Sequence, residues 1–199
     1  MSFYNTIEQQ GSAEFRDRGS RFLAYAYPFT QPADLKKYLQ ALKKVHPKAV
    51  HFCFAYRTGT DGNQFRSSDD GEPPGTAGKP ILGQIDSREL TNILVIVVRH
   101  FGGTLLGVPG LLNAYRSATS MVLQVIPAVK KPILLYYNIR FNYTEKDELL
   151  LLLKKLGCSK ISQQNQLFAE ICAGIPSDNC RKFLETIKNI RNVEISTLL

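Results

Sequence analysis

The sequence predicts an α+β protein in two parts, and three observations carry this. Alternating and continuously apolar runs interleave with helical spacings along the whole chain. The stretch Pro127 to Pro132 (PAVKKP) interrupts that pattern and reads as a linker, placing residues 1–131 in a first domain and 132–199 in a second. Eight of the fourteen glycines, Gly71, Gly75, Gly78, Gly83, Gly102, Gly103, Gly107 and Gly110, gather between Ser68 and Ala118. That segment therefore needs positive φ or close backbone approach.

Composition bounds the class. At 44% apolar and 21% charged residues the chain has the balance of a globular protein. No run approaches the ~18 apolar residues of a membrane span, and the first residues lack the apolar segment of a secretion signal. The expected location is the cytoplasm, with no membrane partner. Cys53, Cys158, Cys172 and Cys180 show no CxxC pairing and no cysteine–histidine set at zinc-site spacing, so they read as buried, reduced thiols. Of the net charge of +8, residues 1–131 hold 16 basic and 10 acidic side chains and 132–199 hold 9 and 7. The excess on the first part suits a nucleic-acid or other polyanionic partner.

In chain order, a polar start leads to Ser20–Phe29, an aromatic, roughly alternating strand closed by Pro28. Thr30 as cap and Pro32 in the first turn open a helix whose stripe is Leu35, Tyr38, Leu39, Leu42 and Val45, stopped by Pro47. Its other face, Lys36, Lys37, Lys43 and Lys44, reads as solvated. Residues 49–57 alternate strictly, with Val50, Phe52, Phe54 and Tyr56 on a core face and Ala49, His51, Cys53, Ala55 and Arg57 on a smaller, partly polar one. Gly59 to Gly62 turn the chain into a partner strand, Gln64 to Ser68.

The loop that follows carries Asp69, Asp70 and Glu72. Three acids in four residues suit a hard cation such as magnesium, yet Asp and Gly are ordinary turn residues, and no paired ligand lies further along. Gly75-Thr76-Ala77-Gly78-Lys79 superficially matches a phosphate-binding loop, but Pro73 and Pro80 occupy positions that motif reserves for Gly and Ser/Thr. No metal site and no cofactor is indicated. Lys79 to Asp86 predicts a short helix.

Thr91–Arg99 is apolar without alternation, as in a central strand covered on both faces. Arg99 and His100 emerge at its end, then Phe101, Gly102 and Gly103. From Pro109 a helix runs with Leu111, Leu112, Tyr115, Ala118, Thr119, Val122 and Leu123 as its apolar stripe and Arg116 on its polar side. A strand, a glycine-rich loop and a helix start favour an anion through exposed amides and the helix dipole, and Arg99 and Arg116 add full charge. The alternative is that the glycines serve tight packing and Arg116 pairs with Asp69 or Asp70. His51 and Cys53 share a strand face, but a nucleophilic pair needs an activated thiolate and an orienting third group.

In the second part, Ile133–Asn142 reads as a strand with Leu135, Tyr137, Ile139 and Phe141 inward. Thr144 caps a helix ended by Gly157, strands follow near 158–163 and 166–173, a helix starts near Ser177, and 193–197 closes as a strand. The order βαββαβ is the ferredoxin-like split unit. Tyr136, Asn138, Arg140, Phe168 and Glu170 line its uncovered face, which suits RNA, docking or dimerisation.

The quoted residues resemble one family over nearly the whole chain. Glu14…Ser20-Arg21-Phe22, His46-Pro47…His51…Cys53…Ala55-Tyr56, Ser68-Asp69-Asp70-Gly71-Glu72-Pro73…Gly75-Thr76-Ala77-Gly78…Pro80 and Val98-Arg99…Phe101-Gly102-Gly103…Leu106-Gly107 match the pattern of the IMPACT family in its two-domain bacterial form. Within the glycine loop His100, Leu105-Leu106, Pro109 and Asn113 depart from it. The resemblance implies a first domain like the second domain of small-subunit ribosomal protein five, and a ferredoxin-like second domain similar to the last domain of elongation factor G. It implies a non-enzymatic, translation-related regulator that binds RNA or the ribosome. The expected contact residues are Lys79, Arg99, His100, Gly102, Gly103 and Arg116, beside the motif loop Asp69, Asp70, Gly71, Glu72, Gly75 and Thr76. The alternative is a phosphate-ligand-binding enzyme, a small-molecule kinase-like phosphotransferase, using the same loop with the three acids holding magnesium.

Overall fold

The computed structural model describes residues 2–165 and 169–198, and these form the expected α+β mixture. They fall into two compact units, residues 4–131 and residues 132–198 with residues 2–3. No described helix is long and apolar enough to cross a membrane.

The first stretch of chain supplies β1 (Phe3–Ile7), β2 (Gly11–Asp17), β3 (Ser20–Pro28), α1 (Leu35–Val45), β4 (His51–Thr58), β5 (Gln64–Ser68), α2 (Gly78–Asp86), β6 (Ile93–His100), α3 (Gly107–Val125) and β7 (Ala128–Pro132). Five strands make an antiparallel sheet in the order β2-β3-β6-β4-β5. The continuous apolar run of β6 is explained by its place: it is the central strand, and 93–98 are buried on both faces. On one face Ile93, Val95 and Val97 join Phe22, Cys53 and Ala55 beneath Ile81 and Ile85 of α2 and Leu111, Tyr115 and Val122 of α3. On the other, Leu94, Ile96 and Val98 join Phe52, Phe54 and Tyr56 beneath Leu35 and Leu42 of α1.

Several readings of the sequence are corrected by the structure. The polar start holds β1 and β2, and the expected linker holds β7, which pairs with β1 in a two-stranded sheet. Such pairing joins segments more than 120 residues apart, so no local pattern announces it. The expected caps Thr30 and Thr144 give way to short 3-10 turns at Pro32–Asp34 and Tyr143–Glu145, without a side-chain cap on the helix that follows. Val45, Val50 and Leu135 lie exposed at element ends, off the core faces expected for them.

The second unit contains β8 (Leu134–Phe141), α4 (Lys146–Lys155), β9 (Ser159–Asn165), β10 (Ala169–Pro176), α5 (Cys180–Ile187) and β11 (Val193–Leu198). Its antiparallel sheet has the order β11-β8-β10-β9. Tyr137, Ile139, Phe141, Ile171 and Ala173 pack with Leu149 and Leu153 of α4 and Phe183 and Ile187 of α5. On the outward side Arg140 lies 3.9 Å from Glu170 and 4.0 Å from Glu194, with Tyr136 exposed nearby on the same strand. Phe168 and the first residues of the predicted strand 166–173 lie outside the described residues.

Candidate functional site

Residues 69–77 form a loop between β5 and α2 that folds back over the end of β4 and β6. Asp70 takes φ +42° and Gly71 φ +88°, a left-handed pair that reverses the chain. Asp69 then turns inward and accepts the amides of Gly75 (2.8 Å), Ala77 (3.0 Å) and Gly78 (2.8 Å), so it closes both the loop and the start of α2. Burial pushes its carboxyl up, but those three amides and the charge of Lys79 outweigh it and hold Asp69 below the ordinary carboxylate range. Asp70 accepts the amide of Phe52 at 2.7 Å. Thr76 donates its hydroxyl to the Pro73 carbonyl at 2.7 Å.

Glu72 goes furthest in. Its side chain is only 3% exposed, and Oε1 accepts from Arg99 Nη1 and from the Tyr115 hydroxyl, each at 2.7 Å. Arg99, 7% exposed, is carried in by the two-residue period of β6, which places it in line with Val95 and Val97. His51 borders the group. Its Nδ1 lies 2.8 Å from the Asp70 carbonyl, which can only accept, so Nδ1 carries a proton and Nε2 faces Glu72 Oε2 at 3.9 Å. Cys53 Sγ sits 2.9 Å from the Asp69 carbonyl and 3.3 Å from the Tyr115 hydroxyl. Burial drives both the thiol and the phenol far above their ordinary ranges. Cys53 is therefore an inert thiol, turned toward Asp69 and Tyr115, with no activating base among the described residues.

The three acids do not converge. Asp69 closes a helix start, Asp70 caps a strand amide and Glu72 neutralises a guanidinium, so the magnesium arrangement that a phosphotransferase would need is not assembled. No group of metal-ligating side chains occurs among the described residues.

The expected contact residues separate into three places. Arg99 does not face water as expected; it is buried against Glu72, because an odd position of β6 points beneath α3. His100, one residue on, points to the opposite face, where its ring lies 5.5 Å from that of His46, and His46 Nε2 meets the Tyr25 hydroxyl at 2.7 Å. Lys79, Gly102, Gly103 and Arg116 are exposed, with Lys79 on α2 and Arg116 on α3, neighbouring helices of one sheet face. Arg116 has no ion-pair partner among the described residues; the pair that forms is Arg99–Glu72, in place of Arg116 with Asp69 or Asp70.

Gly102 and Gly103 differ in kind. A Cβ on Gly102 would stand 1.9 Å from the Gly19 carbonyl carbon, so the loop can pass only as glycine, pinned by the Gly102 amide donating to Ser20 Oγ at 3.2 Å. Gly103 has φ +88° and open space around it. Between the ends of this arrangement, Phe101 stands 47% exposed with the Arg99 guanidinium 5.6 Å from its ring centre.

Sequence reasoning missed Tyr115 and Phe101 as members of the site. The available signal for Tyr115 was a phenol as the one aromatic residue in that helix stripe, since a buried tyrosine hydroxyl must find a partner.

The architecture is thus that of a two-unit α+β protein whose first unit displays a glycine-rich loop over a buried acid–guanidinium–phenol network. A family model described as the Impact N-terminal domain matches residues 18–123, which include the whole of this network and loop. The IMPACT family member YigZ of Escherichia coli is 33% identical over 74% of this chain and 74% of its own length. YvyE of Bacillus subtilis, also an IMPACT family member, is 33% identical over 71% of this chain, which spans 65% of that relative's length. A crystal structure of a hypothetical protein superposes over the whole chain and 98% of its own, with a TM-score of 0.76 and 26% identity. The chain belongs to the IMPACT family.

Proposed function

We propose that the protein is a cytoplasmic, translation-related regulator that acts by binding RNA or the ribosome through its first domain, residues 1–131. The observation that carries this is the fate of the charges around the loop. Glu72 is buried against Arg99 and the carboxylates of Asp69 and Asp70 are tied to backbone amides, while Lys79 and Arg116 remain exposed on the neighbouring helices α2 and α3, and Gly103 leaves open backbone in the loop that leads into α3. Of the three acids Glu72 is withdrawn from water, Asp69 and Asp70 are held to the loop by their hydrogen bonds, and the exposed side chains of Lys79 and Arg116 are suited to phosphates. Family membership across the whole of this surface supports the same reading. The outer sheet of the second domain, residues 132–199, sets Arg140 between Glu170 and Glu194; its charge balance favours the first domain as the polyanion contact.

The test is co-sedimentation with ribosomes at low salt. The wild-type protein pellets with them, and Lys79→Ala with Arg116→Ala remains in the supernatant. For a single-stranded RNA the slope of log affinity against log salt falls by about 0.7 for each phosphate that is no longer neutralised. Undiminished pelleting of the double variant would remove this surface as the binding site. Arg99→Ala is the wrong probe, because it unbalances the core.

A further inference from the structure

Phe101 is an aromatic ring held out to solvent with its back against a buried cation. The Arg99 guanidinium carbon lies 5.6 Å from the centre of Phe101 and 5.4 Å from that of Phe22, and Phe22 in turn meets Tyr115 edge-on at 5.2 Å. Arg99 is itself fixed by Glu72 at 2.7 Å. Its Nε is buried without a hydrogen-bond partner, so on that side the guanidinium is held by ring faces instead of acceptors. The backbone directly after Phe101 is immobilised by the approach of Gly102 to Gly19 and the bond to Ser20. A large apolar side chain so exposed, on a frame so constrained, is not explained by the core, which it does not join.

We infer that the outer face of Phe101 is a stacking platform for an unpaired base of single-stranded RNA. This deepens the proposed function and rests on it. A base brings a π-face of matching size, and its backbone brings phosphates to a unit whose exposed Lys79 and Arg116 form no ion pair among the described residues. Aromatic platforms combined with basic surroundings are the sequence-tolerant way of holding single strands. An apolar protein segment would match the ring and the exposed Leu105 and Val108 but not the surplus of positive charge.

The chain contains no tryptophan, so Phe101→Trp creates a sole reporter. Titrated with a short oligoadenylate at low salt, its emission is quenched as a base covers the indole, whereas an abasic oligomer of equal charge binds without quenching. Phe101→Leu weakens oligoadenylate binding, read by fluorescence anisotropy, by about 5- to 150-fold. It leaves the abasic oligomer's affinity unchanged and lowers the unfolding midpoint only slightly, through the lost ring contact with Arg99, and Phe101→Tyr restores both the midpoint and oligoadenylate binding. If oligoadenylate binds the wild type, Phe101→Leu binds it equally well and the emission of Phe101→Trp is not quenched, stacking is overturned while RNA binding stands. If neither oligomer nor ribosomes bind the wild type, the RNA reading itself falls and stacking with it. Emission that responds to RNA-free ribosomal protein but to no oligonucleotide would reassign the ring to protein docking and overturn the inference.

Discussion

Arg99 Nη1 and Glu72 Oε1 lie 2.7 Å apart at the foot of the glycine loop, and neither side chain is more than 7% exposed. The ion pair ties the 69–77 loop to the central strand, and Tyr115 adds α3 to the same oxygen. Removing one charge strands the other in a low-dielectric setting, where it costs more than the pair contributes. Arg99→Ala and Glu72→Ala should each destabilise the first unit by about 3–5 kcal/mol, and the double variant by much less than the sum. Urea unfolding of the four proteins checks this; additive losses would mean the two groups do not act as a pair.

Asp69 gives the loop its pH dependence. Its carboxyl is held below the ordinary value of 3.8 in the folded state. The stabilisation it supplies is therefore complete above that value and is lost as pH falls through and below it. Thermal midpoints measured from neutral pH to pH 3 should fall more steeply for the wild type than for Asp69→Asn. At neutral pH the variant should be the less stable protein, since an amide oxygen accepts three backbone amides more weakly than a carboxylate does.

The two loop glycines should respond oppositely in mechanism. Gly102→Ala forces a methyl into the Gly19 backbone, an overpacking that should cost about 1–3 kcal/mol or more and displace the β2–β3 turn. Gly103→Ala meets no atoms and costs only the strain of φ +88°, about 1 kcal/mol. Amide exchange at Ser20 and Arg21 should rise in the first variant and stay unchanged in the second.

Burial should protect Cys53 from reagents that reach the partly exposed Cys172. Cys53 is buried between Asp69 and Tyr115 with its thiol driven up, and burial with Cys180 pushes Cys158 up to about 11. At pH 8 a disulfide reagent should modify native Cys53 far more slowly than Cys172, and all four cysteines should react promptly in denaturant. Prompt native labelling of Cys53, located by peptide mapping, would contradict the buried network.

Much of the frame was legible because it is written in local periodicities. The apolar run 93–98 announced a strand covered on both faces, Gln64 to Ser68 and the α2 and α3 segments fell within two residues of expectation, and the glycine cluster marked the loop. β1 and β7 were not legible, because a two-stranded pairing between chain segments so far apart leaves no signature in either. At the site the partnerships were not legible: the pair weighed as the alternative was Arg116 with Asp69 or Asp70, and the pair observed is Arg99 with Glu72.

By itself the sequence determined the α+β class, the family pattern and the position of the loop, since each depends on residues near one another in the chain. The tertiary structure alone decided which charges meet water. A strand sends consecutive residues to opposite faces, so Arg99 went beneath α3 to Glu72 and His100 went to His46. Which face would be roofed, and by what, was set by helices packed from elsewhere in the chain.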